Sequence, residues 1–581
     1  MANDTTAAEP RSWWSARLGQ WAAFRDQREE QVFLVLTLVI GALVGLLVVA
    51  FILLTERVGA RLDPAGVMPW RRIFIPTAGS LLMGYLLYRY FPDARGSGVP
   101  QTKAAVYARD GKITLSTVFG KFFCTSATLA SGIPLGREGP AVQVGGGIAS
   151  VLGRALGLPS ERVKALIPVG AAAAVAAAFN TPLAAVLFSL EEVVGDMHAP
   201  VLGSVVLASA TSWGVLRLLL GNDPLFQTPQ YQLVNPWELV VYGLLGVAGG
   251  FVSVAFTQLL LQLRKWFLKQ PRKTVWFQPV AGGLLIGIIG WFVPQVMGVG
   301  YKYVGEALND HLAVQLMLLL LVLKLVATAV SYASGNAGGI FGPSLFLGAM
   351  LGGTIGGVAH HFFPAHVATP GAYALVGMGT AFAGIVRAPM TSVVMIFEIT
   401  RDYAVIVPLM LSNLLSYFIS SRLQKEPIYE QLAKQDGTHL PLAESRQEQL
   451  QRQVIRVMKP VPEILDAGDS VPGALEKAGA TSQQVWPVKD PSGIIGIITR
   501  RQLQVELAKG RPEKRIGELL EEPEFPHVHT DQSFDHVLAR MGEAQVDMLP
   551  VVSRANVHEL LGVVWLSDVL KFYGVDEGAG I

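Results

Sequence analysis

The sequence predicts a polytopic α-helical membrane protein made of two repeated halves, followed by a small α/β domain. Three observations carry this expectation. The 581 residues are 51% hydrophobic and only 15% charged, with a mean hydropathy of +0.42, well to the apolar side of an ordinary soluble chain. One long motif occurs twice in a shared register. The apolar segments then stop near Leu423, where the composition turns to Gln, Glu, Lys and Arg.

The first 30 residues carry Arg11, Arg17, Arg25 and Arg28 ahead of the first apolar run and show no cleavable leader pattern. An excess of Lys and Arg marks the cytoplasmic flank of a first span, so the N-terminus is expected in the cytoplasm. A hydrocarbon core of roughly 30 Å needs about 20 helical residues, and 32–54, 73–87 and 312–330 are among several runs that could supply a crossing. The runs 141–151, 166–179 and 344–357 are shorter and rich in Gly and Ala. They read as helices that pack closely or enter the membrane without crossing it.

The duplication defines the halves, about 31–222 and 235–435. Copy one opens with Gly136-Arg137-Glu138-Gly139-Pro140 and continues through Val169-Gly170 to Pro182 and Glu191. Copy two opens with Gly339-Ile340-Phe341-Gly342-Pro343 and continues through Val376-Gly377 to Pro389 and Glu398. Pro follows Val at the thirteenth position and Glu follows Pro at the ninth in both copies. Corresponding Gly/Pro-interrupted helices in two halves point to a substrate or ion site near the bilayer midplane.

Each interruption places a helix start inside an apolar segment, and Gly96-Ser97-Gly98-Val99-Pro100 adds a third such start. Helix N-termini offer free backbone N–H groups and the positive end of the dipole without a formal cation. That suits an anion which must be bound and then released. Glu138, within such a terminus, can occupy an anion's place when ionised and leave it when protonated.

These three motifs in this order, with Tyr429 in Pro427-Ile428-Tyr429, resemble the CLC family of chloride channels and proton-coupled chloride exchangers over roughly residues 30–435. The resemblance implies an inverted repeat of broken and re-entrant helices in a voltage-gated chloride channel family homodimer. It implies a central chloride held by the hydroxyls of Ser97 and Tyr429 and the amides of Ile340 and Phe341. An outer chloride site would use amides around Arg137, Glu138 and Gly139. It places Glu138 as gate and proton carrier and Glu192 as inner proton relay, in the inner (plasma) membrane of a bacterium with both termini cytoplasmic. Glu191 matches Glu398 of copy two and is expected to do a job common to both halves, such as a helix-end hydrogen bond. Glu192 has no such counterpart.

Glu192 favours exchange of chloride for protons, because channel relatives usually carry an apolar residue there. The alternative is a passive, gated chloride channel. It draws on Lys103, where several transporting relatives have a glutamate: beside Glu192 it would slow proton uptake, and facing solvent it would matter little. Ser97 favours chloride over nitrate, since nitrate-preferring relatives often carry Pro there.

From 436 to 454 the chain reads as a linker or exposed helix. Beyond it, Val485–Asp490, Gly493–Thr499 and Gln502-Leu503 are echoed by Met548–Val552, Leu561–Trp565 and Asp568-Val569-Leu570. Each copy reads as helix, strand, turn, strand, helix. This resembles a CBS domain pair, 455–510 and 515–575. Members often hold the ribose of an adenine nucleotide with a Thr and an Asp. Here one copy keeps Thr499 with Gln502 at the Asp position, and the other keeps Asp568 with Trp565 at the Thr position. Both are candidate nucleotide ligands, against a reading as a dimerisation or coupling module.

The remaining features are bland. A net charge of +2 gives no sign of a nucleic-acid partner. The single cysteine, Cys124, allows no internal disulfide and no cysteine metal cluster. Lys324 in its apolar run is expected to snorkel or pair with a carbonyl or carboxylate. His360, His361 and His366 read as an interface loop and not a metal site. No cofactor is required, and no His, Asp or Ser constellation accompanies Glu138 and Glu192 to make an enzyme.

Overall fold

The computed structural model describes residues 29–573 except 198–200, 222–223, 228, 230, 232, 439, 441–452, 462, 480–482, 511–512 and 521–524. The arginine-bearing N-terminal segment and most of the expected linker therefore lie outside the described residues. The chain divides into two units, Met1–Leu440 and Pro441–Ile581.

Among the described residues, the named elements of the first unit are all helical. Its first half contains α1 (Glu29–Leu62), α2 (Pro69–Arg89), α3 (Val99–Tyr107), α4 (Leu115–Ala130), α5 (Glu138–Ala155), α6 (Ser160–Phe179), α7 (Pro182–Phe188) and α8 (Leu202–Leu220). A π-helical turn, Ser189–Val194, extends α7. The second half contains α9 (Glu238–Leu268), α10 (Pro279–Phe292), α11 (Tyr301–Leu308), α12 (Val314–Ala333), α13 (Phe341–Phe362), α14 (Pro370–Val386), α15 (Pro389–Thr400), α16 (Ile406–Leu423) and α17 (Ile428–Gln435). Among the described residues, seven helices are long and apolar enough to cross a membrane.

The Gly/Ala-rich runs form longer helices than their apolar cores imply. α5 is 18 residues, α6 is 20 and α13 is 22. The close packing expected of them is present. A Cβ on Gly145 would lie 2.2 Å from the carbonyl oxygen of Gly170, and one on Gly348 would lie 2.1 Å from that of Gly377. The pairs α5/α6 and α13/α14 thus cross backbone to backbone at equivalent points of the two copies. His360 and His361 close the last turn of α13 rather than lying in a loop.

The repeat extends to buried charges. Lys121 on α4 donates to the carbonyls of Ala94 (2.9 Å) and Gly96 (2.6 Å), and Lys324 on α12 donates to those of Val296 (2.9 Å) and Gly298 (2.6 Å). Both lysines are fully buried. Each satisfies two carbonyls of the irregular segment before a short helix, so Lys324 has the carbonyl pairing expected of it. Between the halves, Gly136 and Gly339 exchange reciprocal backbone hydrogen bonds of 2.7 Å in an antiparallel bridge. Equivalent residues bonded to each other in this way lie on a local two-fold axis.

The second unit repeats one motif. β1 (Leu465–Asp466) pairs in parallel with β2 (Val485–Asp490), which pairs antiparallel with β3 (Gly493–Thr499). α18 (Val471–Gly479) precedes β2 and α19 (Arg500–Ala508) follows β3. In the second copy α20 (Phe534–Ala544) precedes the antiparallel pair β4 (Met548–Val552) and β5 (Leu560–Trp565), and α21 (Leu566–Phe572) follows. Val528 bridges in parallel to Val551 as Leu465 does to Val488. This is the helix, strand, turn, strand, helix order read from the sequence.

Candidate functional site

Three helix starts and a buried tyrosine meet in the first unit. The turn before α3 holds Gly96 at φ 90° and Gly98 at φ 106°. A Cβ on Gly98 would stand 2.2 Å from the carbonyl oxygen of Gly139. Only glycine therefore lets the Ser97 turn lie against the start of α5. The bridge between Gly136 and Gly339 holds the starts of α5 and α13 together. Ser97, Ile340, Phe341 and Tyr429 are all fully buried. The hydroxyls of Ser97 and Tyr429 make no hydrogen bond of normal geometry, although the Tyr332 hydroxyl is within reach of Ser97. Tyr429 lies within electrostatic reach of Glu192 and Glu138. The Phe341 ring packs on Phe179 (4.8 Å between centroids), Phe188 (5.5 Å) and Phe382 (4.4 Å).

Glu138 is the first residue of α5 and is fully buried. Its Oε2 accepts from the Gly342 amide at 3.2 Å, in the first turn of α13, and its Oε1 accepts from the Tyr301 hydroxyl. The carboxylate thus belongs to one helix start and is held by the other, where free amides and the positive dipole end stabilise an anion. Beside it, Arg137 is buried, reaches Glu56 at 3.3 Å and lies 5.7 Å above the Tyr301 ring. Gly139 packs against Ser97 and Gly339.

Glu192 lies in the π-helical turn after α7 and is 6% exposed. Lys103 does not face solvent. Its ammonium is 2.8 Å from Glu192 and 2.5 Å from Glu430, the residue after Tyr429. A cavity of about 230 Å³ lies along the same two helices, lined in part by Arg95, Gln101, Arg264 and Asp436.

Three participants escaped the sequence reading. Tyr301 and Glu430 are joined to their partners across 163 and 327 residues, beyond any local pattern. Lys121 was legible: it stands fifteen residues before Gly136, as Lys324 does before Gly339. In the second unit, Thr499 caps α19 in a reciprocal pair with Gln502, whose side chain accepts from the Thr499 amide at 2.8 Å. Asp568 pairs with Lys459 at 2.7 Å.

Comparison with known proteins identifies the family. Residues 79–421 match the family model for voltage gated chloride channels. A putative chloride channel protein, ClcB-like, of Ralstonia nicotianae is 33% identical over 65% of this chain and 89% of its own length. The chain belongs to the voltage gated chloride channel (CLC) family. Other CLC proteins are similar to the same region. The H(+)/Cl(-) exchange transporter ClcA of Vibrio cholerae is 31% identical over 62% of this chain and 79% of its own length. The crystal structure of a slow cyanobacterial Cl-/H+ antiporter is 27% identical, covers 70% of this chain and 97% of its own, and superposes with a TM-score of 0.64. A eukaryotic CLC transporter at 19% identity and TM-score 0.60 shares the fold over 92% of this chain, which takes in much of the second unit. The first unit therefore has the CLC transporter fold, and the second is a small α/β region.

Proposed function

We propose that this protein exchanges chloride for protons across a bacterial inner membrane. The observation that carries the reading is Glu138, a fully buried carboxylate held at the meeting point of two helix starts by the Gly342 amide and the Tyr301 hydroxyl. An ionised Glu138 there occupies an anion's position. On protonation it loses its claim on the amide, leaves the site to chloride and carries the proton. Chloride binds centrally between the hydroxyls of Ser97 and Tyr429 and the amides of Ile340 and Phe341, and externally at amides of Arg137, Glu138 and Gly139. These partial charges bind an anion without trapping it. Glu192 delivers the proton from the cytoplasmic side. The exchanger names of the Vibrio and cyanobacterial relatives support this reading. The active form is a homodimer with a pathway in each subunit. Both termini face the cytoplasm, and the second unit acts as a CBS-type coupling module.

A passive chloride channel is the second reading, and the ion pair between Lys103 and Glu192 favours it. An ammonium at 2.8 Å favours the ionised form of a carboxylate and so opposes proton uptake. The deciding experiment is proton movement in sealed proteoliposomes under a chloride gradient, with the potential clamped by valinomycin and potassium. Uphill proton movement that disappears in Glu192→Gln establishes exchange. Chloride flux without proton movement makes the protein a channel.

A further inference from the structure

Lys103, Glu192 and Glu430 form a closed group of three charges drawn from α3, the turn after α7, and α17. Their side chains are 9%, 7% and 13% exposed. One ammonium faces two carboxylates, at 2.8 Å and 2.5 Å. Glu430 Oε2 is buried and has no hydrogen-bond partner. Around the group, Glu191, Tyr429 and Arg387 are within electrostatic reach of one or other carboxylate.

We infer that Glu430 is a second proton-accepting residue of the pathway, and that the proton is loaded onto the Glu192–Lys103–Glu430 group rather than onto Glu192 alone. The inference rests on the exchange reading above. A buried ammonium and a single carboxylate are neutral together, and adding a proton leaves a buried, uncompensated positive charge, which is costly. With the second carboxylate the group carries one surplus negative charge, and one proton brings it to neutrality. A proton from cytoplasmic water adds to Glu430 Oε2. The Lys103 ammonium, with three N–H donors, stays with Glu192 until the proton passes to that carboxylate, and then pairs with the ionised Glu430. The lysine that opposes proton uptake by an isolated Glu192 thus becomes a counter-ion exchanged between two acids.

The test uses full-length protein in proteoliposomes, with proton and chloride fluxes measured on the same vesicles. Glu430→Gln leaves Lys103 and Glu192 as a neutral pair. Proton flux is expected to fall at least about tenfold, the effect of one pK unit, while chloride flux persists. Adding Lys103→Met frees Glu192, and proton flux in the double variant is expected to recover to within about threefold of the unsubstituted protein, less than half a pK unit. A Glu430 that merely packs would not be rescued by removing a lysine. Proton flux in Glu430→Gln equal to that of the unsubstituted protein, or no recovery in the double variant, overturns the inference and leaves exchange standing. If the unsubstituted protein moves no protons, the exchange reading fails and takes this inference with it. If Glu430→Gln shows no chloride flux, Lys103→Met is compared with the double variant. Loss of Glu430 should shift the midpoint of proton flux to lower pH, because two carboxylates sharing a site raise one proton affinity. Identical profiles overturn the inference.

Discussion

Glu191 and Glu398 cap each other's helices. The Glu191 carboxylate accepts from the amides of Met390 (3.3 Å) and Thr391 (2.8 Å) and from the Thr391 hydroxyl (2.7 Å), at the start of the helix that carries Glu398. The Glu398 carboxylate accepts from the amides of Leu183 (2.9 Å) and Ala184 (2.7 Å), at the start of the helix that leads to Glu191. Each acid lies nine residues after the proline that opens its own helix, so one register places both caps.

Because hydrogen bonds to a charged group are worth about 1.5–3 kcal/mol, Glu191→Ala and Glu398→Ala should each destabilise the protein by that order. The measurement is thermal unfolding of the purified protein in detergent. Proton coupling should survive in whatever folded protein remains, which separates Glu191 from its neighbour Glu192. An unchanged unfolding temperature in both variants would show that the caps carry no stability.

At the proposed gate, Glu138→Gln should retain chloride flux and lose proton movement, since an amide occupies no anion's place and carries no titratable proton. Tyr301→Phe removes one of the two donors that hold Glu138. A hydrogen bond to a charged group, worth about 1.5–3 kcal/mol, corresponds to roughly a ten- to 150-fold easier release of the carboxylate, so chloride turnover should rise at fixed pH. Turnover that stays level or falls would mean that Tyr301 does not restrain the gate.

The two buried lysines should be equally costly to remove. Lys121→Met and Lys324→Met each leave two carbonyls without their donor, a loss of about 1–3 kcal/mol per unsatisfied group, read as lower yield and unfolding temperature. Lys121→Met should also weaken chloride binding by isothermal calorimetry, because the Gly96 carbonyl it holds adjoins Ser97. Equal chloride affinity would divorce Lys121 from the site.

Where backbones touch, Gly145→Ala and Gly348→Ala should each cost about 1–3 kcal/mol by overpacking. The added methyl meets a carbonyl oxygen at 2.2 Å or less, and neither helix can give way cheaply. Expression and thermal unfolding read this out. Gly203→Ala, with nothing within 4 Å of the added Cβ, is the control and should be silent.

In the second unit, titration with ATP, ADP and AMP at millimolar concentrations is expected to release no heat. The Thr499 hydroxyl is committed to its capping pair with Gln502, and Asp568 to Lys459, while each copy lacks the other member of a ribose-binding pair. Saturable heat from any of the three would make the unit a nucleotide sensor.

Much of this was legible because duplication turns a sequence into its own comparison. The shared spacing located the helix starts, matched Glu191 to Glu398 and set Glu192 apart. It did not reveal the lengths of α5 and α13, since Gly and Ala that look like helix interruptions are what two closely crossing helices require. Nor could it reveal Tyr301 or Glu430. Each meets its partner through tertiary packing, and neither position repeats: Val99 stands where the second copy has Tyr301.

The bridge between Gly136 and Gly339 has one more implication. A protein with perfect two-fold symmetry about that point would offer the same face to both sides of a membrane and could not tell them apart. Its sense of direction must lie where the copies disagree: Glu138 against Phe341, Glu192 against Ile399, and Ser97 against Val299. A scaffold indifferent to orientation is made directional by a handful of side chains, and among them are the residues proposed to handle chloride and protons.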